Sequence, residues 1–170
     1  MPGWFASEQV AGFDRNRWLV SSEYAVGRAR RGLGKPETFN FLGFTHICSV
    51  SRRGTFLLKR KTRRTRLRAK LAEIKEELRR RRHLPIPEQG RWLAKVVRGF
   101  FAYHAVPTNY AALGDFRNQV VWLWRRSLRR RSQTDNTLWT RVAKLAADYL
   151  PTPRILHPWP QERFYAIHPR

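Results

Sequence analysis

The chain has 170 residues, of which 42% are apolar, including seven Trp and ten Phe, and its 35 Lys and Arg outnumber 12 Asp and Glu to give a net charge of +23. That apolar content can fill one core and excludes disorder along the whole length. A field of this sign requires a polyanion as partner, either nucleic acid or an anionic membrane surface. No run of eighteen apolar residues occurs, and the start MPGWFASEQ has neither a basic nor an apolar leader pattern, so no spanning helix is expected and the expected compartment is the cytoplasm.

Residues 1–23 mix Trp4, Phe5, Phe13 and Trp18 with Gly, Ser and Asn and keep no period, and a short helix over residues 23–30 is expected to stop at Gly32, Gly34 and Pro36. Residues 1–30 carry four basic and three acidic side chains, a net +1, so nearly all the charge lies downstream. From Thr38 to Cys48 apolar residues alternate through Phe39, Phe41, Phe44 and Ile47, which predicts one strand with Gly43 as a bulge or a close backbone approach. A turn at Ser51–Gly54 leads into a second strand, with Phe56 and Leu58 on one face, so residues 38–61 read as a β-hairpin. Cys48 is the only cysteine, which forbids an internal disulfide, and its apolar strand predicts a buried, inert thiol.

A helix is predicted over Thr62–Arg82, with Thr62 as N-cap and Leu67, Leu71, Ile74 and Leu78 on one stripe. Pro85 and Pro87 predict a stiff connector before a second helix, Glu88–Tyr103, in which Trp92, Val96 and Phe100 lie beside Leu93, Val97 and Phe101. A third helix is expected over Asn109–Arg131 on Leu113, Phe116, Val120 and Leu123 or Trp124, and a fourth over Thr137–Tyr149 on Leu138, Val142, Leu145 and Tyr149. Five prolines in residues 150–170 exclude a helix there and predict an extended strap anchored by Trp159, Phe164 and Tyr165. The expected fold is therefore mainly α, with a β-hairpin, a bundle of three to four helices and an extended Pro-rich C-terminal strap. Its segments would be 1–37, 38–61, 62–149 and 150–170.

Between Lys59 and Arg82, thirteen basic and three acidic residues occur among twenty-four positions. A charged helix face ordinarily serves solubility, but three acids cannot neutralise thirteen bases, and clustered cations that displace counterions bind a phosphate backbone strongly and without sequence preference. Lys59, Arg60, Lys61, Arg63, Arg64, Arg66, Arg68 and Lys70 are the candidates, several of them at a helix N-terminus that favours anions. Arg125, Arg126, Arg129, Arg130 and Arg131 form a second cluster, which exceeds what complementing a helix C-terminus requires. Aromatic residues at helical spacing are mostly core, and Tyr103 and His104, at a helix end, are the candidates for stacking on bases. His46, His83, His157 and His168 with one cysteine offer no metal spacing, so neither a metal nor another cofactor is expected.

The order of FLGF (Phe41, Leu42, Gly43, Phe44), a turn, the run LLKRKTRR (Leu57–Arg64) and the segment WLAKVVRGFFAYHAVPTN (Trp92–Asn109) resembles the end of the palm and the thumb, or maturase domain, of group II intron-encoded reverse transcriptases over residues 24–170. The resemblance implies that FLGF corresponds to a primer-grip-like hairpin and that the partner is structured intron RNA or an RNA/DNA duplex, with a role in splicing. It also implies a truncated relative without polymerase activity. Two-metal polymerisation needs clustered aspartates, whereas Asp14, Asp115, Asp135 and Asp148 are scattered, no Tyr-x-Asp-Asp run occurs, and the His and Cys pairs of an appended nuclease are missing. No enzymatic activity is expected. Two alternatives are a basic protein that coats nucleic acid without specificity, and one half of a split reverse transcriptase whose palm is a separate chain and whose hairpin edge is free to join it.

Overall fold

The computed structural model describes residues 38–131 and 138–159. The chain divides into two compact units, residues 1–37 with 48–58 and residues 38–47 with 59–170. The expectations for residues 1–37, for Thr137, and for Phe164 and Tyr165 as strap anchors lie outside the described residues. So does any role for Asp14, Asp135 and His168.

In the first unit, Gly54 at φ +78° closes the predicted Ser51–Gly54 turn. Its N–H donates to the Ser51 carbonyl at 3.1 Å, and the Ser51 and Thr55 hydroxyls meet at 2.6 Å. Cys48 is half-buried rather than buried.

Among the described residues the chain is mainly helical, and three antiparallel strands precede four helices: β1 (Phe39–Phe41), β2 (Phe44–Val50) and β3 (Phe56–Thr62), then α1 (Arg64–Arg80), α2 (Ile86–His104), α3 (Tyr110–Leu128) and α4 (Trp139–Tyr149). The strand order is β1-β2-β3. The single strand expected over Thr38–Cys48 is in fact a tight hairpin. Leu42 and Gly43 both take positive φ, +46° and +79°, and Phe41 pairs with Phe44 across them. Positive φ at both central residues is the geometry whose twist suits a two-residue hairpin, so Gly43 makes a turn and not a bulge.

Connectors of a few residues make successive helices reverse direction, so α1 and α3 run parallel with α2 antiparallel between them in sequence. Two links fix this: Thr62, before α1, bonds Asn109, before α3, while Leu78 and Ser127, near the two C-terminal ends, are joined by a 3.1 Å hydrogen bond from the serine hydroxyl. The core lies among the helices and includes Ile74 and Leu78 of α1, Leu93, Val97, Phe100 and Phe101 of α2, Leu113, Phe116, Val120 and Trp124 of α3, and Val142 and Ala146 of α4. The Phe100 and Phe116 rings stack at 3.7 Å. Trp124, not Leu123, is the fully buried member of its pair. Trp92, expected in the core, is only half-buried with the Arg81 guanidinium 5.1 Å from its ring centre.

Two polar nodes hold the ends of this bundle. At one, fully enclosed Gln89 accepts from Trp124 Nε1 at 2.9 Å and donates through Nε2 to the carbonyls of Arg81 (2.6 Å), Arg82 (3.1 Å) and Leu84 (3.3 Å), which fastens the α1–α2 connector to α3. At the other, Asn109 accepts from Thr62 N–H at 2.9 Å and donates at 2.8 Å to Thr62 Oγ1 and to the His104 carbonyl. Thr62 is thereby a strand residue and not the predicted N-cap. Arg63 holds that position without a side-chain cap.

After α4, residues 151–159 form no regular structure and run back along α2. Arg117 donates to the carbonyls of Ala146 and Pro151, and the N–H groups of Leu156 and His157 reach the Ala105 carbonyl at 3.0 and 3.1 Å. Among the described residues no helix is long and apolar enough to cross a membrane.

Candidate nucleic-acid interface

The end of β3 and the first two turns of α1 carry eight cations and no acid: Lys59, Arg60, Lys61, Arg63, Arg64, Arg66, Arg68 and Lys70. All but Arg60 and Lys70 are exposed. The acids of α1 come later, and each is engaged locally: Glu73 with Lys70 at 2.8 Å, Glu76 with Arg79 at 3.8 Å, and Glu77 with Arg80 at 2.8 Å and Arg81 at 3.2 Å. Positive charge is therefore concentrated at one end of the helix, around uncapped N–H groups that add a favourable dipole for an anion.

Three side chains position this end. Thr108, at φ +75°, accepts from Arg60 N–H at 2.8 Å and donates to the Arg60 carbonyl at 3.2 Å, so a side chain fills part of the free edge of β3. Asn109 closes the edge one step further at Thr62. Of the sheet's two edges, β3 is thus covered at Arg60 and Thr62, since both of their outward N–H groups are already taken, while β1 forms the other edge.

The third is Tyr103. Its hydroxyl donates to the Leu42 carbonyl at 2.7 Å, and its ring stacks on Phe44 at 5.7 Å, while the Arg63 N–H donates to the Gly43 carbonyl at 2.9 Å. Leucine at positive φ costs roughly 1–2 kcal/mol, and these two hydrogen bonds hold the FLGF turn in that conformation against the start of α1. Phe41 and Leu42 remain 59% and 66% exposed, whereas Phe44 is buried. His104 lies against Phe100 at 4.1 Å and Phe44 at 5.3 Å, and its Nδ1 meets the Phe100 carbonyl at 3.1 Å. Both stacking candidates thus have ring faces engaged by the protein. His104 is the more enclosed, and burial lowers its pKa, partly opposed by the Phe100 carbonyl. His46, buried in β2 beneath Phe39 at 4.8 Å, is also held low, by burial first and by the Arg60 charge second.

The second predicted cluster lies at the far end of the parallel α1–α3 pair, and α1 itself is about 25 Å long at 1.5 Å per residue. The structure does not bring the two clusters together. Within the second, Arg131 is committed to the fold, donating to the Leu84 carbonyl, while Arg125 and Arg126 pack on Trp139 and Trp122. Arg129 and Arg130 are exposed. Gln89, Thr108 and Asn109 were invisible as positioning residues in the sequence, because nothing local distinguishes a buried amide from a solvated one.

Asp115 and Asp148, the described members of the scattered aspartates, are exposed, and among the described residues no group of His, Cys, Asp or Glu could hold a metal ion. No protein-family model, curated protein or solved structure matches this chain.

Proposed function

We propose that this chain grips the phosphate backbone of structured RNA or an RNA/DNA duplex through the β3–α1 end, as the end of the palm and the thumb of a group II intron reverse transcriptase would. The observation that carries this reading is the separation of charge along α1: eight cations precede Glu73 with no acid among them, and the acids beyond are spent on local pairs. Each cation that neutralises a phosphate releases condensed counterions, so such a surface binds in proportion to its free positive charge. The Leu42–Gly43 turn, clamped to α1 by Arg63 and to α2 by Tyr103, supports the further idea that a palm-end hairpin and a thumb helix act as one grip. In this reading the chain assists folding of intron RNA and carries no polymerase chemistry of its own.

The test is affinity for folded intron RNA and for an unrelated RNA duplex across a salt series. Replacing Arg63, Arg64 and Arg66 with Ala should reduce the magnitude of the salt slope by about 0.7 to 0.9 for each lost contact. An unchanged slope rejects this surface. Equal affinity for the two RNAs at every salt concentration keeps the grip but leaves only a non-specific coat protein.

A further inference from the structure

The outward face of α3 carries a feature that phosphate binding alone does not require. Trp122, Arg125, Arg126 and Arg129, at i, i+3, i+4 and i+7, form a stripe opposite the buried Val120, Trp124 and Leu128, and they line an open hollow of about 240 Å³. Trp122 is 47% exposed, with the Arg126 guanidinium 5.3 Å from its ring centre. From α4, Trp139 is 49% exposed and takes the Arg125 guanidinium at 4.4 Å. A face built only for solubility gains nothing from two large indoles in water, and a face built only for phosphates needs cations alone. Each guanidinium lies over one face of its indole and leaves about half of the side chain exposed.

We propose that Trp122 and Trp139 form a stacking platform for unpaired nucleobases, with Arg126 and Arg129 holding the phosphates of the same strand. This rests on the reading that the chain binds nucleic acid, and it adds the class of ligand at this end. Bases within a duplex are already stacked on one another, so an indole can stack only on bases that are single-stranded, looped or splayed. The two ends of the α1–α3 pair then divide the work. Residues 59–70, which contain no aromatic side chain, hold backbone whether paired or not, and the Trp122–Trp139 end selects an unpaired segment.

The experiment compares the full chain binding to an oligouridylate of about eight nucleotides, within the usual site size for single strands, with its binding to an abasic oligomer of the same length and charge and to a blunt RNA duplex. Intrinsic tryptophan fluorescence and affinity are both read. The oligouridylate should quench fluorescence and bind more tightly than the abasic oligomer. Trp122→Ala and Trp139→Ala should each weaken it roughly 5- to 150-fold while leaving the abasic oligomer and the duplex unaffected, and Phe at either position should restore most of the loss. Equal binding of the two oligomers by the unaltered chain overturns the proposal without recourse to any variant. So does equal loss of an acidic polypeptide and of the oligouridylate in the Trp variants, which would make the patch a protein-docking surface. Silent Trp variants alongside intact duplex binding refute the platform alone, whereas failure to bind any nucleic acid removes the phosphate grip as well.

Discussion

Replacing Gln89 with Ala tests whether the buried amide is what fastens α1 to α3. The side chain is fully enclosed, and its removal leaves the equally enclosed Trp124 Nε1–H without the acceptor now 2.9 Å away. An unsatisfied buried donor costs about 1–3 kcal/mol. The carbonyls of Arg81, Arg82 and Leu84 lose a donor too, but they lie at a partly exposed connector where water can replace it, adding roughly 0.5–1 kcal/mol. The total is about 3 kcal/mol, which for a chain of this size lowers the thermal midpoint by roughly 6–12 °C. Circular dichroism with heat and urea measures both. The stronger check is a double-mutant cycle with Trp124→Phe, which removes the donor itself. In that background Gln89→Ala should cost less by about 1–3 kcal/mol. A loss under about 0.5 kcal/mol in the single variant, or additivity in the cycle, would refute the idea that this hydrogen bond secures the bundle.

Asn109→Ala should destabilise by about 2–4 kcal/mol, since it strips partners from the buried Thr62 N–H and hydroxyl and from the His104 carbonyl; urea unfolding measures it, and a near-neutral result would mean the strand edge is not closed there. A methyl group at Gly90 would meet the Tyr149 ring at 2.5 Å, at ring carbons close to the backbone that cannot swing aside, so Gly90→Ala should destabilise by about 1–2 kcal/mol even after the gain of up to about 1 kcal/mol in helix propensity. Stabilisation would show that α4 does not press on α2 at that point. His46 and His104 both have lowered pKa values, so the unfolded chain binds more protons than the folded one just below the ordinary value of 6.5. Stability should therefore be full above that value and fall as the pH drops through the depressed ones, and thermal midpoints measured from pH 7.5 downward should show a flatter decline in His104→Phe; an unchanged decline would clear His104 of any part in it.

The helices were legible because apolar residues recur with the helical period, and the stripes Ile74–Leu78, Val97–Phe101 and Phe116–Val120 are buried as that period requires. The end of the hairpin was not legible. Leu-Gly lacks the Asn or Asp that marks a two-residue turn, and what stabilises positive φ at Leu42 is a tyrosine hydroxyl sixty-one residues away. The same distance in sequence hides the roles of Thr108 and Asn109, which read as an ordinary interruption between helices. It also misleads at Thr62, whose residue type suggests a cap while its partners make it part of a strand. For the candidate site, the charge count was visible in the sequence. Its geometry was not, because only the parallel course of α1 and α3 separates the two clusters.

The placement of charge along α1 works against the folded chain, and that is the strongest reason to seek an external anion. A helix favours acids in its first turn and bases in its last, yet α1 has no acid in its first turn. Arg64 with Arg68, and Arg66 with Lys70, are like charges one turn apart, each pair unfavourable by about 0.2–0.5 kcal/mol. Arg66→Glu reverses both effects at one exposed position, supplying an acid near the N-terminus and an attractive Glu–Lys pair. The free chain should gain about 1 kcal/mol in stability, with a small rise in thermal midpoint, while its affinity for duplex RNA falls and the salt slope becomes shallower. These opposite signs distinguish a binding surface from a structural one. If the variant loses stability along with affinity, the arginine serves the fold, and the case for a phosphate grip at this end of α1 fails.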